Sequence, residues 1–183
     1  VRGGYGRFWA PWAYGANNSP ENIEHGSFNN VPVYANDPHG HICSDFHLFG
    51  ECLAYAGITL TGAKWESSEF INRYLRTAHN HQTLWTGPAK YLYDEGRNYG
   101  LQRMSNCGSV RPLVGDILVS KGGPTGHAAI VREVSDHSVT VIQQNWFESS
   151  RDSHSTLGLR TSGNNYCISD FGDGFPISGW LRK

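Results

Sequence analysis

Three short apolar runs follow one another in the second half of the chain, at residues 117–119, 128–131 and 139–142. Turn-forming stretches separate them, Lys121-Gly122-Gly123-Pro124-Thr125-Gly126 and Ser135-Asp136-His137-Ser138. Short β-rich runs broken by Gly, Pro, Asp and Ser predict antiparallel strands. Tyr166-Cys167-Ile168 and the tail Ile177-Ser178-Gly179-Trp180-Leu181 add further β-like pieces. Upstream the period changes. Phe70, Ile71, Tyr74 and Leu75 recur at helical spacing with Glu69, Asn72, Arg73 and Arg76 between them, predicting a helix over 65–76. Ser67 or Ser68 is placed to cap it. Phe46, Phe49, Leu53 and Ala56 share one face of a helix over 43–56, which Gly57 would end. Thr86-Gly87-Pro88 breaks the chain before a short helix over 89–95 that stops near Gly96, and Val31-Pro32-Val33-Tyr34 reads as an extended edge piece. The expected fold is α+β, with N-terminal helices packed on a central antiparallel β-sheet. Residues 1–26 carry Gly, Trp, Pro and Asn without a period and predict an irregular arm, its Trp9 and Trp12 packing onto the body; residues 27–183 form a single domain.

Composition narrows the classes. A chain of 183 residues builds one full core, and a net charge of −1 gives no field that points to nucleic acid. No apolar run reaches the roughly 20 residues of a membrane span, and no stretch has the make-up of a signal peptide; processing or trimming would account for the start at Val1. Cys43, Cys52, Cys107 and Cys167 contain no C-x-x-C pair and so no zinc pattern. Their even number fits two disulfides, with Cys43 to Cys52 the local pairing expected among three; four reduced, buried thiols are the alternative. Cysteine usage, few lysines and the glycosylation sequon Asn17-Asn18-Ser19 favour a secreted protein over a cytoplasmic one. The histidines make no clear metal set. His39 with His41, or His79 with His81, could hold a metal on an extended chain, but solvated loops are the simpler reading, and no cofactor is expected.

The chemistry concentrates around His127, which stands at the mouth of the second apolar run beside a Gly-rich loop. The third run brings Gln143 and Asn145 back to the same end of the sheet, on one face by strand alternation. A helix start at Ser67 precedes both. Helix start, histidine, amide is the chain order of a papain-like site, in which the helix N-terminus stabilises a thiolate and the amide fixes the imidazole. Taken singly, Ser67 is a helix cap, His127 a core histidine, and Gln143 and Asn145 polar groups of an edge strand. Cys52, in Glu51-Cys52-Leu53-Ala54, is a rival nucleophile.

Gly62-Ala63-Lys64-Trp65-Glu66-Ser67-Ser68-Glu69-Phe70 resembles the nucleophile motif of CHAP domains, the cysteine- and histidine-dependent amidohydrolases and peptidases. The nearest likeness is to the glutathionylspermidine amidase branch, whose motif reads G-x-K-W-Q-C-V-E-F. The likeness continues at residues 31–34, 114–118, 121–123, 125–131, Gln144-Asn145 and Gly179-Trp180, and leaves the N-terminal arm unmatched. It implies a papain-like fold and hydrolysis of an amide through a thiol acyl-enzyme, with His127 as the histidine. The family cysteine falls on Ser67 and the family's orienting acid on Gln143. A hydroxyl at a thiol's position leaves such a site almost inactive. A Cys→Ser replacement that traps an inactive enzyme is the favoured account of Ser67; a natural serine, in a pseudoenzyme or a serine-using variant, is the other. A monomer is expected, and the resemblance implies action on peptidoglycan peptides or a small amide, with glutathionylspermidine-type amide hydrolysis or non-catalytic binding as alternatives.

Overall fold

A computed structural model describes residues 24–34, 53–146, 153–172 and 174–183. Its largest unit is a seven-stranded sheet. The strands are β5 (Gln102–Ser105), β6 (Ile117–Ser120), β7 (His127–Val134), β8 (Ser138–Gln143), β9 (His154–Ser162), β10 (Asn165–Ile168) and β11 (Ile177–Arg182). They run in the order β10-β9-β8-β7-β6-β11-β5, and every neighbouring pair is antiparallel. The three apolar runs are β6, β7 and β8, side by side at the centre.

The sheet curls until its two outermost strands meet. Cys107, just past β5, donates its N–H to Tyr166 O on β10 at 2.8 Å, and Tyr166 returns its own to Gly108 O at 2.9 Å. Asn106 spans the same seam, with Nδ2 on Ile168 O at 2.9 Å and Oδ1 accepting from Ile168 N at 2.8 Å. A disulfide joins Cys107 to Cys167 across it. Met104, Leu118, Val131, Val141, Leu157 and Trp180 fill the inside of the curl. Gly179 on β11 is required by this closeness: at φ 151° a Cβ would lie 2.1 Å from Met104 O and 2.7 Å from Tyr93.

A second core lies on the other face, under two helices, α1 (Ser67–His79) and α2 (Ala89–Glu95). Phe70, Ile71, Tyr74 and Leu75 of α1 and Leu92 of α2 meet Ile117, Val119, Ala128, Ile130 and Ile142 from the sheet. Each of the Phe, Leu, Ile and Val side chains among them contributes about 1.5–3 kcal/mol when fully buried. Asn80 ends α1 in a left-handed conformation, and Gly96 opens a 3-10 turn, Gly96–Tyr99, after α2.

The chain order differs from the expected one. The described residues do not open on helices. They open on two β-hairpins, β1 (Glu24–Phe28) with β2 (Val31–Tyr34), and β3 (Leu53–Ala56) with β4 (Thr59–Ala63). The helix expected over 43–56 is therefore a strand from Leu53 onward, and residues 43–52 lie outside the described residues. Ala56 pairs with Thr59 around Gly57 and Ile58, a two-residue turn in which Gly57 takes φ 63°. Glycine at the first turn position is what such hairpins require, and here it turns a strand rather than ending a helix. β1 begins at Glu24 and so crosses the boundary drawn at residue 26. Trp9, Trp12, His39, His41, Cys43 and Cys52 lie outside the described residues, and with them the Cys43 to Cys52 pairing.

Candidate active site

The helix start is set one residue earlier than a serine cap would have it. Glu66 takes the N-cap position in an extended conformation (φ −68°, ψ 154°), its O accepting the Phe70 N–H at 3.2 Å. Ser67 and Ser68 are thus the first two helical residues, where backbone N–H groups lack intrahelical acceptors and the helix dipole is positive. Ser67 is buried.

His127 opens β7 and is 3% exposed. The glycine before it is a geometric necessity. Gly126 has φ 73°, and a Cβ there would come within 2.5 Å of Lys90 N and 2.6 Å of Ser120 O. The loop can therefore dip between the first turn of α2 and the end of β6, fixed by Lys90 N donating to Thr125 O at 2.9 Å. Gln143, at the end of β8, places Oε1 2.9 Å from His127 Nε2 and donates from Nε2 to Ser155 Oγ at 2.6 Å. With the amide oxygen as acceptor, His127 Nε2 carries the proton and Nδ1 keeps its lone pair. Trp146 lies 4.6 Å and Phe171 5.1 Å from the imidazole between ring centroids, and Phe175 packs on Trp146 at 5.0 Å. Burial pushes the His127 pKa down to about 4, and the Gln143 hydrogen bond opposes that only in part.

Gln143 and Asn145 do not continue one strand face. β8 ends at Gln143, and Asn145 stands two residues on in a left-handed conformation at φ 57°. Its Nδ2 donates to Glu66 Oε2 at 3.3 Å. Gln144 between them is buried and reaches the helix start as well, donating to Glu66 O at 3.0 Å and to Glu69 Oε2 at 2.9 Å. Three consecutive amides thus act on both halves of the site: Gln143 on His127, Gln144 and Asn145 on the residue preceding Ser67.

Behind this junction lies a network of polar residues that stand between the apolar positions of the helical period. Glu69 is fully buried and accepts from Thr61 Oγ1 at 2.8 Å, Arg73 Nε at 2.8 Å and an Arg73 terminal nitrogen at 3.1 Å. The Arg73 guanidinium also donates to Gln144 Oε1 at 3.1 Å and to Pro32 O, and stacks 4.9 Å from the Tyr34 ring. Asn72 is buried too, with Nδ2 on Thr61 O at 2.8 Å and Trp85 O at 2.7 Å, tying β4 and the 84–88 loop to α1. A cleft of about 650 Å³ opens between these walls, lined by Leu60, Thr61, Glu66, Ser67, Trp85 and Gly126 among others. Ser155, Phe171 and Phe175 had no sequence signal of their own, because each reaches the site from a strand or loop distant in sequence.

Among the described residues no cluster of three or more His, Cys, Asp or Glu could hold a metal ion. His79 is hydrogen-bonded to Tyr74 Oη at 3.0 Å, and His81 is buried. No described helix is long and apolar enough to cross a membrane.

The fold thus carries a helix N-terminus and an amide-held histidine on an antiparallel sheet, and Ser67 and Gly126, the residue before His127, line the same cleft. A profile of the CHAP domain matches residues 43–145, more than half of the chain, and the chain belongs to the CHAP domain family. CHAP domains are typically hydrolases, amidases and peptidases. A search of curated proteins gives no match.

Proposed function

We propose that this CHAP domain is a cysteine-type amide hydrolase for the peptides of bacterial cell walls, here held inactive by serine at the nucleophile position. The observation that carries the reading is the cleft itself: Ser67, in the first turn of α1, and Gly126, next to His127, line the same space. With a cysteine at position 67 the thiolate would sit at the positive end of α1. A negative charge there favours the imidazolium, offsetting the burial that keeps His127 neutral beside a hydroxyl. The thiolate would attack the amide carbonyl while backbone N–H groups of the first helical turn take the oxyanion. His127 would protonate the leaving amine, and the acyl-enzyme would then be released by water that gives its proton to the same ring. Gln143 keeps the tautomer but adds no charge to stabilise the imidazolium.

Ser67 fits a Cys→Ser replacement in this scheme, because a helix start and a histidine–amide pair, the parts a thiol site uses, both occur in this fold. The disulfide between Cys107 and Cys167 is compatible with an extracellular site of action. The Lys64-Trp65 flank of the nucleophile motif favours a second reading, a glutathionylspermidine-type amidase, and Ser67 itself favours a third, a cleft that binds without turnover.

Ser67→Cys tests the reading. Progress curves on purified sacculi and on glutathionylspermidine should reveal hydrolysis that iodoacetamide abolishes, and the preferred substrate separates the first two readings. A folded Ser67→Cys variant inert on both supports binding alone and sinks the hydrolase reading.

A further inference from the structure

Glu66 is the one charged side chain among the described residues that line the cleft; the others are apolar or neutral, with Leu53, Leu60 and Trp85 along the walls. Its place is fixed from both ends. The backbone carbonyl accepts from Phe70 N at 3.2 Å and Gln144 Nε2 at 3.0 Å, and the carboxylate accepts from Asn145 Nδ2 at 3.3 Å. A carboxylate offers about four acceptor sites, so one amide donor leaves room for a cation. Glu66 precedes residue 67 directly and lines the same cleft.

We propose that Glu66 is a specificity residue, selecting amides that carry a primary ammonium on an aliphatic stem next to the scissile bond. The stem would lie on the apolar walls and the ammonium on the Glu66 carboxylate. Among the described residues of the cleft lining no other charge is present, and a charge-assisted hydrogen bond discriminates against a neutral analogue. Two sources supply this chemistry, the side-chain amine of a diamino acid in a peptide and a polyamine conjugate. The inference deepens the hydrolase reading by naming the substrate class, and it rests on that reading only for the consequence in rate.

Binding to the Ser67 chain as it stands tests it without turnover. Calorimetry would compare γ-D-glutamyl-L-lysine with its Nε-acetyl form, and N-acyl-spermidine with an N-acyl-alkylamine of equal length. The free amine should bind roughly 10- to 100-fold tighter in at least one pair. Which pair responds identifies the source. Glu66→Gln, which keeps an oxygen for Asn145, should bring that ratio near one, whereas Glu66→Asp should retain part of it. The preference should also weaken as salt is raised. Equal affinities within both pairs, absence of measurable binding by all four ligands included, overturn the proposal, as does a preference that survives Glu66→Gln. An amine preference that depends on Glu66 in a protein whose Ser67→Cys variant is inert would remove the hydrolase reading and leave this one standing.

Discussion

At position 127 burial and hydrogen bonding pull in opposite directions, and burial wins: the imidazole is pushed down to about pKa 4 although Gln143 Oε1 sits 2.9 Å away. The unfolded chain, with an ordinary histidine near 6.5, binds the proton first as pH falls. Stability is therefore fully present above about pH 6.5, declines below it, and stops falling on this account near pH 4. Between pH 7 and pH 4.5 the loss from His127 comes to about 2 kcal/mol. Urea unfolding across that range should fall less steeply for His127→Gln than for the parent; parallel slopes would mean that the ring is not desolvated. Gln143→Glu should act the other way, raising the His127 pKa by bringing a carboxylate to Nε2, and NMR titration of the ring protons reads this directly. No upward shift would mean that the residue at 143 does not govern the ring. At this scale the sequence was legible where a residue's role depends on its neighbours in the chain. Thr-Gly-His could be read because Gly126 must be glycine for the loop to fit. Asn145 could not be placed by alternation, because β8 stops at Gln143 and the backbone turns left-handed beyond it.

The helix α1 was legible from its apolar period, but that period says nothing of where the polar residues between its apolar positions point. Glu69, Asn72 and Arg73 were expected between the core positions and are buried. Periodicity counts apolar residues; it does not register a salt bridge that folds inward because β2, β4 and Gln144 supply acceptors and donors for it. The ion pair between Glu69 and Arg73, with side chains 0% and 7% exposed, has no water to replace a lost partner. Arg73→Met should therefore cost about 3–5 kcal/mol by leaving the Glu69 carboxylate unpaired in the core. The double variant Glu69→Leu/Arg73→Met should recover much of that cost, since an apolar pair needs no desolvation. Denaturant midpoints of the two variants decide it: a single variant within 1 kcal/mol of the parent would show that the pair is hydrated. The 53–63 segment failed for a different reason. Phe46, Phe49, Leu53 and Ala56 fit a helix, yet Gly57-Ile58 is also a two-residue hairpin turn, and Thr59-Leu60-Thr61 carries β-favouring residues on its far side. A short apolar run followed by glycine has both periods available, and pairing partners that pattern alone cannot see choose between them.

On the scale of the whole molecule the sheet's curvature is what the sequence concealed. The centre, β6 to β8, followed from three apolar runs in a row, but strand order depends on β11 entering between β6 and β5 from the far end of the chain. That insertion places β5 and β10 at opposite edges, and the seam at residues 106–108 and 166–168 then closes them against further pairing, as exposed edges otherwise invite. The disulfide between Cys107 and Cys167 locks the seam across 60 residues of chain. Closing a loop of that length removes enough entropy from the unfolded chain to stabilise the fold by about 4 kcal/mol on the chain-entropy model. The Cys107→Ala/Cys167→Ala variant should lose close to that amount in urea unfolding. It should keep its far-ultraviolet spectrum under native conditions, because Asn106 still bridges to both backbone groups of Ile168. Asn106→Ala on top of the double variant should then open the seam, and amide exchange at Tyr166 and Ile168 would report it as a loss of protection confined at first to β10. A Cys107→Ala/Cys167→Ala variant as stable as the parent would mean that the seam is held by its hydrogen bonds alone. Exchange that rises equally across β6, β7 and β8 would mean instead that the curled sheet opens as one cooperative unit, with no weaker edge.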